Sequence, residues 1–197
     1  MARAPLGGEA LGVLFDDART YYSWADTPVA DTDLRRLYDL VKLGPTSANG
    51  APMRLVFVRS DAARAKLASC AGADNAPKIL AAPVTAIVGM DLAFYNRLPE
   101  LFPHADARAW FAGNDALIRE TAFRNSSLQG AYLILAARAL GFDTGPMSGF
   151  DKAAVDAAFF AGTTIETNFL CSIGVGTTEK LFERLPRLAF EDTVTLA

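Results

Sequence analysis

Side chains able to do acid-base or metal chemistry are few and scattered along this chain. Its single histidine, His104, sits in Leu101-Phe102-Pro103-His104-Ala105-Asp106, and any Ser-His-Asp or Cys-His mechanism would have to use it. Neither a G-x-S-x-G elbow nor a cysteine lies beside it. One histidine and no E-x-x-H pattern leave a zinc or di-iron centre short of ligands. No Walker loop occurs, and Gly174-Val175-Gly176-Thr177-Thr178-Glu179 opens like a dinucleotide fingerprint but ends in glutamate, too near the C-terminus to complete a βαβ unit. No catalytic residue and no metal ligand is assigned on these grounds.

What remains is suited to holding a ligand. Gly44-Pro45 reads as a helix stop, a residue able to turn left-handed followed by one unable to continue the ladder. After it come the hydroxyls of Thr46 and Ser47, the carboxamide of Asn49 and small residues up to Pro52, whose backbone N–H groups can approach a flat, hydrogen-bonding ligand. Cations are dispersed around this loop: Arg19 at a helix exit beside Thr20, Lys78 three residues after Asn75, and Arg184 three residues before Arg187. Such groups can bind a phosphate-bearing, planar cofactor. A cofactor that performs the chemistry itself accounts for the missing acid-base set, since the protein then supplies position and electrostatics.

The elements that must position these groups follow from periodicity. Leu11, Leu14, Phe15 and Ala18 predict a helix over residues 6–18; Leu34, Leu37, Tyr38 and Val41 predict a second from an Asp31 N-cap to Gly44. A strand at 54–58, a short helix at 61–69 and another from Pro77 to 81 come next. Residues 84–90 form an apolar run of strand length, expected to be covered on both faces as a central strand. The aromatic, proline-interrupted stretch 92–113 reads as broken helix and loop, a place for a mobile cover. Residues 115–140 form the longest helix, apolar nearly all round, in which Gly130 costs about 1 kcal/mol unless another element approaches closely. Phe142 to Gly149 reads as a strand turning at Gly145-Pro146-Met147-Ser148-Gly149, Asp151 caps a helix to about 160, and 168–174 is a last buried strand. The tail from 181 is apolar and must pack on something, such as another subunit.

Composition bounds the class. With 197 residues the chain is read as one domain, 1–197, able to bury a substantial core. A net charge of −3 argues against a nucleic-acid footprint, which needs a basic face. The run Leu133 to Ala137 is too short, and too soon broken by Arg138, to span a bilayer. Cys70 and Cys171 form no C-x-x-C or zinc spacing and are expected to be two buried thiols of a reduced, cytoplasmic protein. The hydrophobic fraction of 51% favours extra buried surface, as at a dimer interface.

Taken together these pieces resemble the nitroreductase family of FMN enzymes over nearly the full chain. An opening motif is matched by Arg19-Thr20 to Trp24 and Pro28-Val29; a Pro-Ser/Thr-Ser-x-Asn-x-x-Pro loop by Pro45 to Pro52; Asn-x-x-Lys by Asn75 and Lys78; and Gly-Pro-x-x-Gly-Phe by Gly145 to Phe150. Leu98 to Pro103, Trp110-Phe111, Phe123-Arg124-Asn125 and Pro146 to Asp151 further resemble a branch that reduces malonic semialdehyde to 3-hydroxypropionate in pyrimidine degradation.

The resemblance implies an α+β, three-layer sandwich with a mixed central sheet flanked by helices, assembled as an intertwined homodimer with FMN at the subunit interface. Arg19, Lys78 and Arg187 would hold its phosphate and ribityl chain, with Thr20 and Arg184 beside them. Pro45, Thr46 and Asn49 would reach the flavin from the other subunit, Asn75 would bond its pyrimidine edge, and the backbone after Pro146, at Ser148-Gly149, would point an N–H at N5. NADH or NADPH would be the reductant in a ping-pong cycle, with an aldehyde, nitro compound or quinone as acceptor; a flavin-storage role is the non-catalytic alternative. Two departures stand out: the family's second basic position is Tyr22, so phosphate neutralisation leans more on the tail, and Ser148 stands where a glutamate is frequent. A substrate carboxylate would need a cation, for which Arg97, Arg108 and Arg124 lie near the cover.

Overall fold

The computed structural model describes residues 3–197; Met1 and Ala2, the start of the expected 1–197 domain, lie outside the described residues. In chain order the elements are α1 (Gly8–Leu11), continued by a π turn over Gly12–Asp16, α2 (Asp31–Val41), β1 (Met53–Val58), α3 (Asp61–Ala68), α4 (Ala76–Ala81) and β2 (Val84–Asp91). After two short 3-10 turns around α5 (Leu98–Leu101) come α6 (Asp115–Ala139), β3 (Asp143–Met147), α7 (Lys152–Phe159), β4 (Ile165–Gly174) and α8 (Phe190–Thr193).

Strand alternation divides the core in two. The sheet order is β1-β2-β4-β3. Val84, Ala86 and Val88 of β2, with Cys171 and Ile173 of β4, face Leu34, Leu37, Leu133 and Ala137 of α2 and α6. Ile87 and Leu170 point the other way, onto Leu67 of α3, Ile79 of α4 and Val155 of α7. Helices therefore cover both faces of an α+β three-layer sandwich, and β2 is the doubly buried strand that its unbroken apolar run predicts. A third cluster, Phe94, Leu98, Phe111, Ile118 and Ala122, seats the aromatic stretch on the first half of α6.

Several expectations change. The sheet is antiparallel throughout, not mixed; the parallel pairing present is an isolated bridge of Thr20 to Thr144 on the free side of β3. β3 does not turn at Gly145-Pro146 but runs through it, because Pro146 lies on an edge strand where its missing N–H breaks no ladder. The cap of α2 is Ala30, not Asp31: the Asp33 carboxylate reaches back to accept from the Ala30 N–H at 2.9 Å, the return half of a capping box, while Ala30 has no side-chain oxygen to supply the other half. The first helix starts at Gly8 and ends at Asp16, its last turn widened.

Gly44 is not left-handed; a Cβ there would sit 2.8 Å from the Tyr132 ring, so close approach to α6 is what glycine permits. The same reason explains Gly130, where a Cβ would fall 2.5 Å from the Phe169 ring of β4. Cys171 is buried as expected, whereas Cys70 is only partly so. Among the described residues no helix is long and apolar enough to cross a membrane.

Candidate functional site

Three cavities with shared walls collect most of the dispersed groups. The first, about 640 Å³, is lined by Arg19, Thr20, Arg184 and Arg187, together with Tyr22 and Phe182. The tail from Phe182 folds back on the exit of the π turn, and backbone carbonyls hold it there. Arg19 donates to Phe182 O, Arg184 to Asp16 O and, at 3.0 Å, to Ala18 O, and Arg187 to Leu185 O at 2.8 Å. Arg138, read in the sequence only as the residue that breaks an apolar run, joins this wall from the end of α6 and donates from Nη1 to Leu14 O at 2.8 Å. Burial holds its pKa below the ordinary guanidinium value, with Asp143 acting in the opposite sense. A charge at the end of an otherwise apolar stripe was the available signal for it.

Tyr22 and Phe182 also line the second cavity, about 700 Å³, with Lys78 and Asp74. Lys78 Nζ lies 4.5 Å from the centre of the Tyr22 ring and donates to Asn75 Oδ1 at 2.9 Å. Asp74 continues into the third cavity, about 440 Å³, bounded by Asn75 and Gly149. There Asn75 Nδ2 donates to Gly149 O at 3.0 Å, and the Gly72 N–H donates to the same oxygen at 3.1 Å. A Cβ on Gly149 would fall 2.6 Å from Asn75 Nδ2, so that contact requires glycine. Ser148 and Pro146 are exposed, Pro146 on β3 opposite Cys171, and neither lines any of the three cavities. The three cavities thus follow one another through shared residues, Tyr22 and Phe182 and then Asp74, as a trough with an arginine-rich end that also holds Glu183, an aromatic-flanked lysine and an amide end.

Pro45, Thr46 and Asn49 line none of these three cavities. Their loop is strained: Ala48 and Asn49 have φ of 50°, and Ala51 has φ of 40°, each costing roughly 1–2 kcal/mol for a side chain in the left-handed region. Specific contacts hold it. The Ser47 N–H donates to buried Asn125 Oδ1 at 2.8 Å, Ala51 N–H to Thr46 Oγ1 at 3.1 Å, and Asn49 Nδ2 to Leu101 O at 2.8 Å. Asn125 on α6 and the 94–111 segment thus brace the loop and leave Pro45 and Asn49 exposed.

Of the arginines near the aromatic segment, Arg97 is paired with Glu100 and Arg124 with Glu120, while Arg108 donates to the neutral Asn96 Oδ1 at 3.1 Å. His104 is exposed, edge-on to Phe102. The buried Cys171 thiol is pushed up to about 12 by desolvation and stays protonated at neutral pH.

Comparison with known proteins bears on the family and the fold. The description "Nitroreductase family" belongs to a family model that matches residues 17–177. A Burkholderia lata protein with the provisional name NADH dehydrogenase/NAD(P)H nitroreductase is 64% identical over 187 residues, 95% of this chain and 96% of that one. Among solved structures, a provisionally named nitroreductase of Bacillus subtilis superposes with a TM-score of 0.88 at 23% identity, covering 97% of this chain and 100% of its own. One from Exiguobacterium sibiricum, solved in complex with FMN, has a TM-score of 0.86 at 19% identity over 99% of this chain and 100% of its own. These structures speak for the fold, and the family match with the 64% identical relative carries the rest: the chain belongs to the nitroreductase family.

Proposed function

We propose that the protein is an FMN-dependent NAD(P)H oxidoreductase acting as a cytoplasmic homodimer. The observation that carries this reading is the trough, in which guanidinium groups without carboxylate partners at one end adjoin Lys78 and the Asn75–Gly149 amide pair at the other. That order matches a phosphate, a polyol chain and a hydrogen-bonding ring edge. The fit is local as well: Arg138 Nε is buried without a partner, and the cations at this end carry more donors than the carbonyls around them use. The FMN complex of the Exiguobacterium protein supports the same ligand.

In this reading Arg19, Arg184 and Arg187 neutralise the phosphate, and Thr20 adds a hydroxyl donor. Lys78 reaches the sugar-alcohol chain and the ring, and Asn75 the pyrimidine edge. Gly149, following Pro146 and Ser148, lets the backbone approach the ring because no side chain intervenes. The exposed Pro45 and Asn49 and the partly buried Thr46 serve the equivalent site of the second subunit, which is why they are absent from this chain's own trough. FMN, when bound, supplies hydride acceptance from NAD(P)H and hydride donation to a small-molecule acceptor in separate half-reactions.

For the acceptor we infer malonic semialdehyde, reduced to 3-hydroxypropionate, with Arg108 as the cover's arginine that has no carboxylate partner of its own. The name of the Burkholderia relative favours a second reading, a broad nitro- or quinone-reductase. Steady-state turnover of malonic semialdehyde against a nitroaromatic and a quinone separates them: aldehyde turnover near background removes the narrower assignment. Anaerobic NADH should bleach the yellow absorbance within the mixing time of an assay, and a flavin that stays oxidised would instead point to storage.

A further inference from the structure

We propose that Arg138 is a fourth phosphate-side arginine, a cation delivered by the end of α6 that reads the phosphate monoester of the bound flavin nucleotide in place of the basic residue replaced by Tyr22. This rests on the flavin reading above.

Three observations converge on it. Arg138 shares one cavity wall with Arg19, Arg184 and Arg187, so guanidinium groups from three separate segments of the chain meet around one space, in which Glu183 is the one carboxylate and four arginines outnumber it. Among the described residues, none of these four is in an ion pair, a state they share with Arg3, Arg35, Arg36 and Arg108 but not with Arg54, Arg59, Arg64, Arg97, Arg119 and Arg124; they alone of the unpaired arginines gather around one cavity. Finally, Arg138 commits Nη1 to the Leu14 carbonyl and leaves Nε buried with no partner.

Like charges gathered around one cavity repel one another, and a half-buried guanidinium also loses hydration; a dianion entering the cavity offsets both. Burial is the main cause that lowers the Arg138 pKa, and Asp143 opposes it by more than Arg184 adds to it, so desolvation is the cost a dianion would offset. Tyr22 faces the same cavity but brings no charge, its ring being engaged by Lys78. A purely structural Arg138, tying α6 to the carbonyl of Leu14, would account for one N–H. It would leave unexplained both the orphaned Nε and the gathering of unpaired arginines.

FMN and riboflavin differ only by the phosphate, so their affinity ratio isolates this contact. Titration of the flavin-stripped, full-length protein by fluorescence quenching should give an FMN Kd about 10- to 100-fold weaker in Arg138→Met, the range of a lost charge-assisted hydrogen bond, with the riboflavin Kd unchanged. Arg138→Lys, a point charge without the planar fork, should fall between that variant and the wild type. A structural role weakens both flavins alike, and an FMN-to-riboflavin ratio equal to that of the wild type in Arg138→Met overturns the proposal. Should that variant fail to fold, Arg138→Gln is read by the same ratio. Wild-type protein that binds neither flavin would remove the flavin reading itself, and this proposal with it.

Discussion

On the proposed reading, individual arginines set how firmly the flavin phosphate is held at the basic end of the trough. Arg19 lies at the exit of the π turn, and its guanidinium reaches only a tail carbonyl, so nothing in the core depends on it. Arg19→Ala should weaken FMN retention about 10- to 100-fold while leaving the thermal midpoint within a few degrees. Flavin stoichiometry after gel filtration, with a melting curve, checks both halves, and an unchanged stoichiometry removes Arg19 from the phosphate site. The left-handed residues belong to the same scale. Ala48, Asn49 and Ala51 sit where glycine would be at ease, and the hydrogen bonds donated by the Ser47 N–H to Asn125 Oδ1 and by Asn49 Nδ2 to Leu101 O hold the loop there. Backbone strain of this kind recurs where a loop must present its groups in one geometry.

Within α6 and β4, packing and charge act on whole elements. The long helix crosses the sheet closely at Gly130, where the Phe169 ring occupies the space a Cβ would take. Gly130→Ala gains about 1 kcal/mol of helix propensity against an overpacking cost of about 1–3 kcal/mol. The net loss should be about 1 kcal/mol by urea unfolding, and Phe169→Leu in the same chain should recover it. Glu166 of β4 ties that strand to Arg119 of α6, through two contacts of 2.7 Å, and to Lys152 of α7 at 3.1 Å. Arg119 first, then Lys152, hold its carboxyl at about 2, below the ordinary 4.5, against the opposing pull of desolvation. A depressed carboxylate stabilises the folded chain above the unfolded value and loses that contribution as pH falls through the folded one. The wild type should therefore exceed Glu166→Gln by about 1 kcal/mol or less at neutral pH, and the two should converge between about pH 4.5 and about pH 2. Denaturant melts across that window check it; a gap that stays constant to pH 2 would exclude the ion pair as its source.

For the molecule as a whole, the tail has no core of its own. Leu185, Leu188 and Leu196 are 72%, 77% and 85% exposed on the single chain, and apolar surface of that extent is what a second copy would bury. Arg184 and Arg187 lie within the same tail, so removal of residues 184–197 should cost both dimerisation and FMN binding. Sedimentation velocity with flavin absorbance reads the two together, and a truncated protein that sediments as a yellow dimer would separate the tail from both.

The amino-acid sequence by itself determined the main elements and the candidate groups. The apolar run of β2, the helical spacing in α2 and the breaker at Gly44 are local properties and could be read directly, whereas the α+β sandwich and the roles of Arg19, Asn75, Lys78, Gly149, Arg184 and Arg187 came from motifs that resemble a known family. Which groups share a wall was decided only in three dimensions. Arg138 joins Arg19 because α6 ends beside the π turn, Asn125 braces a loop 78 residues away, and Gly44 and Gly130 are glycine because rings of Tyr132 and Phe169 press on them. Those are long-range contacts, and periodicity along a chain records which face a residue occupies but not what will pack against it.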